Sequence, residues 1–222
     1  MFVSMWMTRD VVTVTPETPL TRVARIMTDR RIRRLPVLDH DGRLLGLVSS
    51  QDVLHAFPAD VNPFSAESAD ISDAATLHLT AATVMVRDTP TTHPEAGIED
   101  VARMMLANKI GALPVLRNQH LAGVITESDL FRAFVTVFDQ DLHGVRVTFD
   151  NAHGQDVFPL VAEVTHRHRL RVMNFVSLHK HERPMCVLQV AGSPSAIEAM
   201  LNDIWKSHHP VVSVVHLGNK DG

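Results

Sequence analysis

Polar and apolar positions change period several times along the chain, and each change predicts an element. Residues 11–16 read Val-Val-Thr-Val-Thr-Pro, a β-branched run closed by proline, which predicts a short strand. Leu20, Val23, Ala24, Ile26 and Met27 then fall at three- and four-residue spacing, the apolar stripe of an amphipathic helix. Two apolar runs, 34–39 and 44–49, flank Asp41-Gly42, a pair suited to a tight hairpin. Residues 50–57 open a second helix. The order strand, helix, strand, strand, helix occupies about 50 residues, near the lower limit for an independent core.

The same order is then written again. Met7, Arg9 and Asp10 recur as Met85, Arg87 and Asp88, and Val23-Ala24-Arg25 recurs as Val101-Ala102-Arg103, an offset of 78. Leu35-Pro36-Val37 returns as Leu113-Pro114-Val115, and by Gly46 and Gly123 the offset is 77. The missing residue falls in the hydrophilic turn, where a structural repeat tolerates a deletion. A unit repeated at this size predicts two copies packed on each other. The expected boundaries are 1–57 and 79–136. Between them, residues 58–78 carry the acids Asp60, Glu67, Asp70 and Asp73 with no Lys or Arg, and read as a mobile insert serving as linker or lid.

Residues 142–218 carry a different pattern. A strand at 143–150 is followed by a helix with Val157, Leu160, Val161 and Val164 on one face and Pro159 in its first turn. Two strands at 170–178 and 183–192 form a hairpin. A helix capped by Ser193 or Ser195 follows, then a strand at 210–217. The order βαββαβ is the ferredoxin-like plan, so the fold class is α/β (α+β) throughout.

Composition narrows the function. The formal charge of −4 and the absence of Tyr give no support to nucleic-acid binding, either by a basic surface or by an aromatic RNA platform. No apolar run approaches the length of a membrane helix, and no signal peptide is evident, so no membrane partner and a cytoplasmic location are expected. The single cysteine, Cys186, lies in an apolar strand and reads as packing. Histidines 166, 168, 179, 181, 208 and 209 show no converging ligand spacing, so no metal is expected. No nucleophile or phosphate-loop motif appears, and no catalytic residue is assigned; the chain reads as a non-enzyme.

Two stretches do carry chemistry. Ser49-Ser-Gln-Asp52 and Thr126-Glu-Ser-Asp129 each join a strand to a helix. The hydroxyl sits near free backbone N–H groups that favour an anion, and the carboxylate one turn on can accept from a ribose diol. The same spacing is a capping box, so cap and ligand site are both open. Arg30, Arg31, Arg33 and Arg34 surround the first Leu-Pro-Val, whereas the second copy has Lys109, Gly111 and Ala112. These guanidinium groups suit phosphate, or they serve a helix C-terminus.

With Leu-Pro-Val followed by Gly-x-x-Ser/Thr-x-x-Asp, twice, residues 1–135 resemble a tandem pair of CBS domains, a Bateman module. The C-terminal part resembles an ACT domain, with Asn151 where Asp is usual. A CBS pair followed by an ACT domain resembles the layout of AcuB-type acetoin-utilisation proteins. The resemblance implies an adenosine nucleotide (AMP, ADP or ATP) as regulatory ligand, held by Ser49, Asp52, Thr126 and Asp129 and bordered by Thr13, Thr91, Pro36 and Pro114. Phosphate contacts are then expected from Arg33 or Arg34, with room for a base at Gly111 and Ala112. In the ACT-like part it implies an amino acid at Asn151, Gly154 and Asn174, or dimerisation alone. The expected protein is a homodimeric small-molecule sensor acting on an unidentified regulated protein. The competing expectations are an accessory enzyme of acetoin breakdown and a structural dimerisation module with degenerate sites.

Overall fold

The computed structural model describes residues 1–58, 61–65, 78–138, 144–151, 157–178, 184–207 and 209–217. They fall into two compact units, Met1–Ala133 and Phe134–Gly222. The first contains a 3-10 turn (Val3–Met5), α1 (Leu20–Arg30), β1 (Arg34–Leu38), β2 (Leu44–Ser49) and α2 (Ser50–Ala56). It continues with α3 (Ala81–Val84), α4 (Ile98–Asn108), β3 (Ala112–Arg117), β4 (His120–Thr126) and the start of α5 (Glu127–Phe138).

The repeat is reproduced down to backbone detail. Helices α1 and α4 both end on a left-handed residue, Arg31 (φ 53°) and Lys109 (φ 54°), whose N–H groups close the last turn. Hairpins β1–β2 and β3–β4 share a register, Leu35 opposite Val48 and Leu113 opposite Ile125, and both carry a bulge after the Leu-Pro-Val valine. The one-residue deletion is confined to the turns. In the first, Gly42 takes φ +77° while Asp39 Oδ1 accepts from the N–H groups of Asp41 and Arg43. In the second, Asn118 (φ 51°) and Gln119 (φ 67°) make a two-residue connection between Arg117 and His120.

The strand expected at Val11–Pro16, and its second copy, are not strands. Each is extended chain with one parallel bridge, Val14 to Val37 and Thr92 to Val115. Val14 donates to Pro36 O and accepts from Leu38 N–H. The next donors on either side of the ladder would be the N–H groups of residues 36 and 16, and both are proline. Pro114 and Pro94 stop the second copy in the same way.

Each copy lends its opening turn to the other. Val3 and Met7 are buried in the second copy's core with Val101, Leu113 and Ile125. Their repeat equivalents, Ala81 and Met85, are buried in the first copy's core with Val23, Leu35 and Val48. Val3 N–H donates to Ala96 O, and Ala81 N–H donates to Thr18 O at the equivalent place. Thr8 bridges Val124 as Val86 bridges Leu47. Within the insert, Val61 and Phe64 pack against the first copy's core; residues 59–60 and 66–77 lie outside the described residues.

The second unit is an antiparallel sheet of β5 (Gly144–Asp150), β6 (Arg171–Leu178), β7 (Met185–Ala191) and β8 (Val211–Leu217), ordered β6-β7-β5-β8. Helices α6 (Phe158–Arg167) and α7 (Pro194–Lys206) contribute Val161, Val164, Met200 and Ile204 to a core with Val147, Phe149 and Leu188. This is the ferredoxin-like arrangement that the βαββαβ order predicts. Of the two candidate caps for α7, Ser193 is the one used: its Oγ accepts from Ala196 N–H.

Candidate functional site

Both Ser/Thr-x-x-Asp stretches fold as capping boxes. Ser49 Oγ accepts from Asp52 N–H (3.2 Å), and Asp52 Oδ2 accepts from Ser49 N–H (2.7 Å) and Oγ–H (2.6 Å). Thr126 and Asp129 repeat the pattern at 3.3, 2.8 and 2.7 Å. Asp129 is only 3% exposed, and its Oδ1 is held by Arg132. Both oxygens of Asp129 are therefore committed to the protein. Asp52 Oδ1 has no hydrogen-bond partner among the described residues.

A cleft of ≈ 470 Å³ lies between the two copies. The first copy supplies Val11, Val12 and the stretch Arg31–Arg34; the second supplies Gly111, Ala112 and the end of β4 with the start of α5. Backbone contacts position both walls. Ser50 N–H donates to Arg33 O (2.9 Å) and Glu127 N–H donates to Gly111 O (3.2 Å), so each arginine or glycine wall is pinned to the helix start of its own copy. Arg31 and Arg33 are exposed and Arg34 is half-buried, and none of the three has a carboxylate within 4 Å among the described residues. Two acids, Asp10 and Glu127, also line the cleft. A Cβ at Gly111 would lie 2.8 Å from Glu127 Oε2 and 3.2 Å from Arg34 Nη2, so both side chains converge on the space that the missing side chain leaves.

Of the expected nucleotide residues, the cleft brings together Arg33, Arg34, Ala112 and Thr126. Thr13, Pro36, Ser49, Asp52, Thr91, Pro114 and Asp129 do not line it; Pro36 and Pro114 are buried in their sheets. Thr8, Asp10, Glu127 and Ser128 line it without having been singled out. The recurrence of Asp10 as Asp88 was the available signal for the first acid. Glu127 carried none, because its repeat equivalent is Ser50.

In the second unit, Asn151 is 2% exposed at the end of β5, and its Oδ1 has no hydrogen-bond partner among the described residues. Its N–H donates to Pro184 O (2.8 Å). Asn174 Nδ2 donates to Val137 O (3.3 Å), so that amide is already engaged. Gly154 lies outside the described residues. Across α6 and α7, Asp203 Oδ2 accepts from His168 Nε2 (2.8 Å) and Arg167 Nη1 (2.9 Å); these bonds, the one from His168 first, hold the Asp203 carboxyl below its ordinary range. Among the described residues, no group of three His, Cys, Asp or Glu is placed to hold a metal ion, and no helix is long and apolar enough to cross a membrane.

Comparison with known proteins follows the repeat. The CBS domain family model matches residues 3–59 and 81–136. The chain is 33% identical over 130 residues to protein MJ1225 of Methanocaldococcus jannaschii, covering 58% of this chain and 45% of that protein. It therefore spans under half the length of that relative. Among solved structures, a Vibrio cholerae protein named for acetoin utilization (AcuB) aligns with a TM-score of 0.52 and 29% identity over 62% of this chain and 93% of that one. CBSX2 in complex with AMP aligns with a TM-score of 0.52 and 25% identity, over 62% and 98%.

Proposed function

Because the chain belongs to the CBS domain family and carries the domain twice, we propose that its first unit is a regulatory sensor that binds an adenosine nucleotide between the copies. One observation carries this reading: three arginines with no carboxylate partner among the described residues share a cleft with the small residues Gly111 and Ala112. Guanidinium groups bind phosphate through paired N–H donors, and a wall without side-chain bulk leaves space for a flat base. The ligand of CBSX2 is of the same class. A ligand touching both copies favours one relative placement of them, which is the differential affinity that a regulatory change needs. Arg34 and Thr126 are the contacts assigned to phosphate and sugar.

The test is calorimetric titration of the whole chain with AMP, ADP, ATP, NADH and S-adenosylmethionine. Micromolar binding that is lost in Arg34→Ala, with an unchanged circular dichroism spectrum, supports the reading. No heat and no thermal stabilisation with any of the five would overturn it.

A second reading concerns the ACT-like unit, and the buried Oδ1 of Asn151, unpaired among the described residues, favours it. A buried acceptor without a donor is costly, and a ligand ammonium group would satisfy it. We assign to this unit amino-acid sensing at Asn151 together with homodimerisation through the sheet edges β6 and β8, each of which pairs on one side only among the described residues. The likeness to the acetoin-utilization protein extends the proposal to regulation in acetoin or related carbon metabolism. Asn151→Ala should abolish stabilisation by any amino acid that raises the melting temperature of the second unit.

A further inference from the structure

We infer that the cleft and a neighbouring groove on the first copy form one bipartite site, whose ligand is a nucleotide with an extended polyphosphate tail. The inference rests on the nucleotide reading above and adds the direction in which the ligand grows. The groove has a volume of ≈ 700 Å³ and runs between the end of α1 and α2, with Phe64 of the insert on its rim. It shares Arg31, Ile32 and Arg33 with the cleft, so one stretch of chain is the wall of both cavities.

The shared wall is fixed from both sides. Arg31 is locked in the left-handed conformation that ends α1, with its N–H on Thr28 O (3.2 Å), and Ile32 N–H donates to Met27 O (3.0 Å). Arg33 O accepts from Ser50 N–H. Two exposed guanidinium groups therefore stand on a ridge between two cavities, and among the described residues neither has a carboxylate partner.

Charge sets the direction. Inside the cleft, a growing phosphate chain meets Asp10 and Glu127, and each added charge is opposed by like charge. Among the described residues the groove has no Asp or Glu in its lining; beyond Arg31 and Arg33 it offers Thr28, Ser50, Gln51 and His55 as hydrogen-bonding groups. A nucleoside seated by Gly111 and Ala112 therefore places its first phosphate at the arginines and passes later phosphates over the ridge into the groove. The second copy lacks the ridge, since Lys109 and Gly111 stand where Arg31 and Arg33 stand in the first. The bipartite site belongs to the first copy alone.

The experiment is titration of the whole chain with AMP, ADP and ATP at constant ionic strength, repeated with Gln51→Glu. Gln51 is an exposed residue in the first turn of α2, where a carboxylate suits the helix dipole, so the variant should fold. Wild type should bind ATP about tenfold or more tightly than AMP, since each added phosphate gains charge-assisted hydrogen bonds. Gln51→Glu should remove most of that advantage and leave AMP affinity within about twofold. Equal affinity for AMP and ATP, or an ATP advantage that Gln51→Glu does not reduce, would overturn the groove while leaving the cleft as a nucleotide site. Binding of none of the three would overturn both.

Discussion

At the scale of single residues, the two hydroxyls that start α2 and α5 do the same structural work in different surroundings. Ser49 caps its helix away from the cleft, whereas Thr126 caps its helix and lines the cleft. Ser49→Ala should cost about 1 kcal/mol of stability, the usual worth of an N-cap, with nucleotide affinity unchanged. Thr126→Ala should cost a similar amount and also weaken binding. Denaturant melts and calorimetry on the two variants separate the effects, and equal loss of affinity in both would contradict the placement of Ser49. The sequence left cap and ligand both open for a physical reason: the same oxygen, at the same spacing, serves either. What it could not reveal is that Asp129 spends both its oxygens on the protein. Gly46 is a second informative residue. A Cβ there would lie 2.5 Å from Val86 O, where the second copy's opening segment bridges β2. Gly46→Ala should force that bridge apart at a cost of about 1–3 kcal/mol, read from the shift in denaturation midpoint.

Elements follow the same logic. Helices α1 and α4 and the two hairpins were legible because their apolar periods are strong and written twice. The first strands were misread because β-branched composition signals a strand, while the prolines that remove the ladder donors sit on the partner strand as well as at the run's own end. The exchanged opening turns were not legible at all. Val3-Ser-Met and Ala81-Ala-Thr are too short for a period, and nothing local says which core they enter. The exchange predicts an effect across copies. Val3→Asp would bury an unpaired charge in the second copy's core. Amide hydrogen exchange should accelerate in α4 and the β3–β4 hairpin before it does in β1–β2; the reverse order would contradict the exchange. In the second unit, α6 and α7 are tied by Asp203 to His168 and Arg167. Since the folded state holds the Asp203 carboxyl below its ordinary value, its contribution is present above the unfolded value near 3.8 and is lost as the pH falls through the folded one. Asp203→Asn should remove this contribution, so that the gap in stability between variant and wild type closes as the pH is lowered below about 4.

At the scale of the whole molecule, the chain holds two separate stores of buried apolar surface. The two copies of the first unit have linked cores that share their opening turns, while the second unit closes its own core beneath its own sheet. The copies are coupled to each other by chain exchange and by any ligand in the cleft. The cleft, groove and arginine ridge all lie within the first unit, and Asn151 lies within the second. A ligand stabilises only the unit that binds it, by about 2.7 kcal/mol at a free concentration one hundred times Kd. Differential scanning calorimetry should therefore resolve two transitions, of which AMP or ATP raises one and leaves the other in place. The transition that moves should be the one lowered by Val3→Asp, and the stationary one should be the one lowered at acid pH through Asp203. A single transition that a nucleotide shifts as a whole would show that the two units unfold together, and would make the second unit a direct recipient of the first unit's signal.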